Sequence, residues 1–202
     1  MTGRPVVLLV VGSPGRGSHT AAAVDAAAGL LAPMGAEPLV WDLAVRPLPV
    51  VDPSCHGRPE LYADPLAREF VPLVARADAL LLASPTYHGA CSGALKNALD
   101  HVDTPRLRGK PVALLAHGEN LTAVQVCDGL RTVVRAMKGI AVPEQLVTVP
   151  GDFERLPDGR RLLSGAAARG RLGAVCRSLL TAARRCAAED AVGAGTGHGT
   201  VT

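Results

Sequence analysis

Aromatic side chains are scarce: the 202 residues include one tryptophan, two tyrosines and two phenylalanines. Any aromatic that stands in a loop therefore carries weight. Strong charge is missing too. The formal net charge is only +3, and the arginines are scattered without aromatic interleaving, which argues against a nucleic-acid surface. Lysine is rare beside alanine, glycine, arginine and proline, a bias that carries no chemistry. The five cysteines (Cys55, Cys91, Cys127, Cys176, Cys186) form no CxxC pair and are odd in number. This predicts reduced thiols in a cytoplasmic protein rather than a disulfide frame. The six histidines are dispersed, with no HExxH or Cys-His arrangement, so no metal site is expected. The apolar run at 5–11 is too short to span a bilayer and its flanks do not suit a signal peptide. A soluble protein with neither membrane nor nucleic-acid partners is expected.

The pattern that is present alternates. Residues 5–11 form a continuous β-branched and leucine run, as in a parallel strand buried on both faces. A glycine-rich loop, GSPGRGSHT at 12–20, leads into an alanine-rich helix reaching Met34. Further strands are predicted at 39–43, 78–84, 112–116 and 140–149, with helices at 65–77, 92–101, 122–137 and 164–188. Asp64-Pro65 is a helix start and Gly139 a helix cap. Residues 44–64 hold four prolines and read as a long stiffened loop, a candidate for part of a subunit interface. Residues 150–159 read as a turn-rich connection and 189–202 as a disordered tail, leaving one domain over 1–188. Five strands alternating with five helices predict a doubly wound α/β sandwich with a parallel sheet in the order 2-1-3-4-5.

In that topology the loops after strands one, three and four open together at the carboxyl end of the sheet. They are also the unusual ones: 12–20, 85–91 and 117–120. The stretch 84–100, SPTYHGACSGALKNALD, is strand end, tight loop and helix start, and Tyr87 lies in the loop. The first loop fails the Walker A pattern because Ser18 stands where lysine is needed. It fails the dinucleotide fingerprint because position 20 is threonine. What remains is a monophosphate cradle of Ser13, Arg16, Ser18, His19 and Thr20 at a helix N-terminus. Cys91 is also at a helix start, but with no partner base in view.

GSPGRGSHT followed by SPTYHGACSGALKNALD resembles the NAD(P)H-dependent FMN reductases of the flavodoxin-like superfamily over roughly residues 6–121. The family pattern is GS-x-R-x-x-S, then P-x-Y-x-x-x-x-x-G-x-LKN-x-x-D. The resemblance implies that Ser13, Arg16, Ser18 and Thr20 bind the FMN phosphate, that Pro85, Thr86, Tyr87, His88 and Gly89 border the isoalloxazine ring, and that His117 and Gly118 approach its pyrimidine side with backbone N–H groups. In the family the arginine stands three residues after the glycine. Here Gly15 holds that place and Arg16 follows it. The implied activity is hydride transfer from NADPH or NADH to FMN, with reducing equivalents leaving as free reduced flavin, for instance to a monooxygenase, or passing to a quinone-like acceptor. A homodimer or homotetramer is expected. A flavodoxin-type electron carrier and a cofactor-free partner protein are the alternatives; the first predicts an acidic surface that this composition does not supply.

Overall fold

The computed structural model describes residues 3–195. In chain order it contains β1 (Val6–Val11), α1 (His19–Leu31), β2 (Glu37–Asp42), α2 (Pro65–Arg76), β3 (Ala79–Pro85), α3 (Gly93–Asp100), α4 (Thr104–Leu107), β4 (Pro111–His117), α5 (Val124–Ala136), β5 (Ile140–Thr148), β6 (Phe153–Arg155), β7 (Arg161–Leu163) and α6 (Ala166–Gly195). The first five strands form one parallel sheet in the order β2-β1-β3-β4-β5. This is the doubly wound order expected, with its switch point between β1 and β3.

The strands are apolar along their length because both faces are covered. Leu8, Val10, Leu80, Leu82, Val112 and Leu114 point into one core with Trp41, Phe70 and residues of α2, α3 and α5. Val7, Leu9, Leu81, Ala83, Ala113 and Leu115 point into the other, against α1 and α6. The alternation of neighbours between the two cores is the period of two of a strand. At the edge, β5 shifts register against β4 between Val112 and Leu114. Arg131 of α5 spans the irregularity, donating to the carbonyls of Val142 and Pro143 and to Gln145 Oε1. Pro143 is tolerated there because an edge strand leaves amides unpaired.

Several expected boundaries shift. In α2 the buried residues are Ala67, Phe70, Val71 and Val74; Ala77 is buried just after it and Leu66 and Leu73 pack partly buried against the same core, so the expected face holds and is widened by Ala67 and Val71. Asp64 does cap this helix, accepting from the amides of Leu66 and Ala67. At the end of α5 the left-handed residue is Lys138, with φ 63°, rather than Gly139. The Gly139 amide closes the helix onto Val134 O at 2.9 Å. Glycine is needed there for space, since a Cβ would sit 3.0 Å from Val134 Cγ1. The turn-rich connection holds an antiparallel hairpin, β6–β7. Its turn is closed by Leu156 N–H to Arg160 O at 2.8 Å, with Gly159 at φ 85°. The last helix continues to Gly195, because residues 187–192 are rich in alanine and contain no breaker. Part of the segment expected to be disordered is thus helical, and 196–202 lie outside the described residues.

The long loop at 44–64 packs onto α3. Asn97 Nδ2 donates to Pro49 O at 2.7 Å, its Oδ1 accepts from Val51 N–H at 3.0 Å, and His101 Nε2 lies 2.9 Å from Pro49 O. The asparagine of the LKN motif is therefore a strut for this loop. Lys96 pairs with Asp100 one turn away, at 2.6 Å.

Buried serines join the loops at the sheet's carboxyl edge. Ser92, the N-cap of α3, accepts from Leu95 N–H at 3.0 Å and donates to Gly12 O, while its own N–H donates to Ser84 Oγ at 2.9 Å. Gly12 N–H in turn donates to Ala83 O at 2.7 Å. Ser92→Ala removes a cap and strands a buried carbonyl. The expected loss is about 2–3 kcal/mol of folding stability, measured by urea denaturation at neutral pH.

Candidate active site

The three loops expected to converge do so. A cavity of about 360 Å³ opens between them. From the first loop it is lined by Ser13, Gly15, Arg16, Ser18, His19 and Thr20. From the end of β3 come Pro85, Thr86 and Tyr87, and from the end of β4 come His117, Gly118 and Glu119. Arg161 of β7 completes the lining. His88 and Gly89 are not part of it: they occupy the centre of a two-residue turn, with φ of 51° and 79°. Tyr87 and Ala90 exchange N–H to O bonds of 3.0 Å across this turn. Positive φ at both central positions makes a tight primed turn that sets the angle of the Tyr87 loop.

The first loop is shaped for an anion. Ser18 caps α1, its Oγ accepting from Ala21 N–H at 3.1 Å, which leaves its hydroxyl proton to donate. Ser13 Oγ accepts from Gly15 N–H at 3.2 Å and curls the loop. Gly12 is compelled, because a Cβ would lie 2.6 Å from Ala83 O. Free N–H groups and the dipole of a 13-residue helix then face the cavity's edge.

Two imidazoles and a phenyl ring stack at the other side. His19 lies against His117 with centroids 4.3 Å apart and planes 22° from parallel, and Phe153 of β6 meets both edge to face. Thr148 Oγ1 lies 3.1 Å from His117 Nδ1 and 3.3 Å from Ala116 O, and so anchors the ring by one of its nitrogens. Arg161 Nε–H donates to His19 Nε2 at 3.1 Å, which fixes His19 as neutral with its proton on Nδ1. Burial, and after it Arg161, hold His19 below its usual range, against Glu119. His117 is pushed down to about 4, by burial first, then by His19 and Arg161, against Asp152. Both rings are uncharged at neutral pH. The Gly118 N–H expected to face a ligand donates instead to Thr148 O at 3.1 Å. Burial pushes the Cys91 thiol up, so it is no activated nucleophile.

FMN fits these residues. Thr20 Oγ1 and Thr86 Oγ1 are buried and have no hydrogen-bond partner among the described residues. Both residues line the cavity, and Thr20 is only 1% exposed. Orphaned buried hydroxyls are costly and few, and a phosphate or a flavin edge offers them acceptors. Gly118 lets its loop pack closely on its neighbours, since a Cβ there would come within 2.8 Å of Ala123 Cβ and 3.1 Å of Thr86 Oγ1.

Arg161 and Phe153 lay beyond sequence reasoning because three-residue strands carry no readable period. The turn signal Pro157-Asp158-Gly159 flanked by Leu156 and Arg160 was the available hint.

Fold and cavity together define a flavodoxin-like protein with a polar cavity at its switch point. A protein-family model described as NADPH-dependent FMN reductase matches residues 5–154. A Staphylococcus haemolyticus protein named FMN-dependent NADPH-azoreductase is 37% identical over 152 residues, 75% of this chain and 81% of that protein. A Staphylococcus saprophyticus protein of the same name is 36% identical over 158 residues, 78% and 84% of the two chains. Among solved structures, a flavoenzyme NAD(P)H:(acceptor) oxidoreductase from Paracoccus denitrificans superposes with TM-score 0.71 at 17% identity, covering 90% of this chain and 98% of that one. An apo NADH:FMN oxidoreductase does so with TM-score 0.63 at 24% identity, covering 87% and 90%; these two likenesses concern the fold alone. The chain belongs to the NADPH-dependent FMN reductase family and is an NAD(P)H-dependent FMN oxidoreductase.

The depressed His117 has a consequence for acid stability. The unfolded chain takes up a proton near pH 6.5 that the folded ring refuses until about pH 4. The ring's contribution to stability is complete above the first value and lost as pH falls toward the second, with His19 acting in the same direction. The expected loss is on the order of 2 kcal/mol. His117→Asn should flatten that slope in urea denaturation at pH 7 and pH 4.5.

Proposed function

We propose that this chain holds FMN in the cavity between its three loops and uses NADPH to reduce planar acceptors, azo compounds or quinones, that enter beside Tyr87. The observation that carries this reading is the convergence of orphaned hydroxyls, loop amides and guanidinium groups on one cavity with a half-open rim. Tyr87 is 47% exposed and is the one aromatic residue in the three loops. A ring bound against it keeps a face accessible to nicotinamide and to the acceptor in turn.

FMN, when bound, would supply the redox chemistry, as an acceptor of hydride from nicotinamide and a donor of reducing equivalents. The chain's own residues bind and orient. Ser13, Arg16, Ser18, His19 and Thr20 grip the phosphate end with the α1 amides. Pro85, Thr86 and Tyr87 border the ring, with the His88-Gly89 turn fixing their loop, and His117 and Gly118 form the wall opposite. A neutral His117 leaves charge on the ring to be balanced by hydrogen bonds rather than by an imidazolium.

The acceptor class rests on the name shared by the curated relatives, FMN-dependent NADPH-azoreductase. That name also supports NADPH over NADH. We place the enzyme in the cytoplasm, where the thiols of Cys55, Cys91, Cys127 and Cys176 stay reduced, and as a homo-oligomer.

Protein loaded with FMN and freed of excess flavin should oxidise NADPH when an azo dye or a quinone is supplied, and NADH more slowly. Turnover seen only with excess free FMN would make reduced flavin itself the product. No oxidation of either nicotinamide overturns the proposal.

A further inference from the structure

We infer that Arg161 supplies the phosphate-binding guanidinium that the first loop has displaced, so that the FMN phosphate is held across the chain by the β6–β7 hairpin. This rests on the FMN site proposed above and concerns a residue outside the 5–154 match.

Position 15, where the family pattern places arginine, is glycine. Arg16 is exposed and makes no hydrogen bond or ion pair among the described residues, so it would have to be ordered at the moment of binding. Arg161 is already ordered. Its Nε–H donates to His19 Nε2 at 3.1 Å and its Nη1 to Gly17 O at 2.6 Å. Of five N–H donors, three are left. No carboxylate forms an ion pair with Arg161 among the described residues, its contact with His19 is with a neutral ring, and Glu119 is the one carboxylate that shares the cavity lining with it. It lines the same cavity as Ser13, Ser18 and Thr20, and the buried Thr20 Oγ1 lacks a hydrogen-bond partner among the described residues. A guanidinium with forked donors, fixed before the ligand arrives, recognises phosphate at little entropic cost.

Two roles must be separated: a direct grip on phosphate, and a clamp that only keeps the loop in shape. Riboflavin, which has the same ring without the phosphate, separates them. Quenching of flavin fluorescence would be titrated with FMN and with riboflavin for the native chain and for Arg161→Met, Arg161→Gln and Arg16→Met, with thermal melting as a check on folding. Arg161→Gln keeps an amide donor near the place of Nε, which meets His19 Nε2 in the native chain, and so covers a failure of the methionine variant to fold. The expected result is a loss of about 10- to 100-fold in FMN affinity for both Arg161 variants, the size of a lost charge-assisted hydrogen bond. Riboflavin affinity should be unchanged and the loss for Arg16→Met smaller. If the Arg161 variants lose FMN and riboflavin affinity by the same factor, or lose neither while the native chain prefers FMN, the inference is overturned and the FMN site stands. If the native chain binds neither flavin, the FMN site falls and this inference with it.

Discussion

The hydroxyl of Ser92 is the point on which the site depends. It sits at the start of α3, yet its hydrogen bond reaches Gly12, the first residue after β1. Ser84 holds the Ser92 amide from below and donates to Pro85 O, so the ends of β1 and β3 and the beginning of α3 form one buried knot. All the polar atoms involved are paired, which is what permits them to be buried. Both the phosphate loop and the Tyr87 loop begin at this knot. Their spacing is therefore set by hydrogen bonds of two buried serine hydroxyls within the core.

The far wall is built on a different principle. The core is aliphatic almost throughout, and at the sheet's edge that permits an exception in which His19, His117 and Phe153 pack as a small aromatic cluster. Imidazoles stack this way at low cost only when uncharged, and burial together with Arg161 keeps them so. The cation beside the phosphate loop thus does two things through one side chain. It orders Gly17 and His19, and it adds to the effect of burial, which comes first in keeping both rings uncharged.

The strands, their order and most of the cavity were legible in the sequence because they rest on strong local signals. Fully buried parallel strands read as unbroken apolar runs, and a glycine-serine loop or a proline-tyrosine loop at a strand end has few other uses. Where the local signals weaken, tertiary packing decides. The α2 face is wider than the leucine spacing alone suggests, because Ala67 and Val71 are buried beside it. The last helix was cut short because its glycines outweighed the alanines between them. Lys138 took a left-handed conformation that sequence rules assign to Gly139, since tight packing against Val134 and Leu107 had already claimed the glycine. The hairpin was invisible for the plainest reason: strands of three residues have no period to detect.

That gap has a physical moral for the site. In a doubly wound sheet, three loops at the switch point are adjacent by topology, and a sequence that orders the strands correctly places their residues without further information. Arg161 is placed otherwise. Its hairpin is held by Asp152, whose carbonyl accepts from Ser164 and Gly165 and whose carboxylate caps the chain at Val149. The side chain then crosses from the far end of the fold to Gly17, 144 positions earlier. A cation that is missing from a loop can be replaced from any segment that tertiary packing brings near, and the replacement need not preserve sequence position. It needs only to preserve charge and donor geometry at the phosphate. The displaced arginine in the first loop is then no defect in the cradle, because in three dimensions the cradle includes a fourth segment.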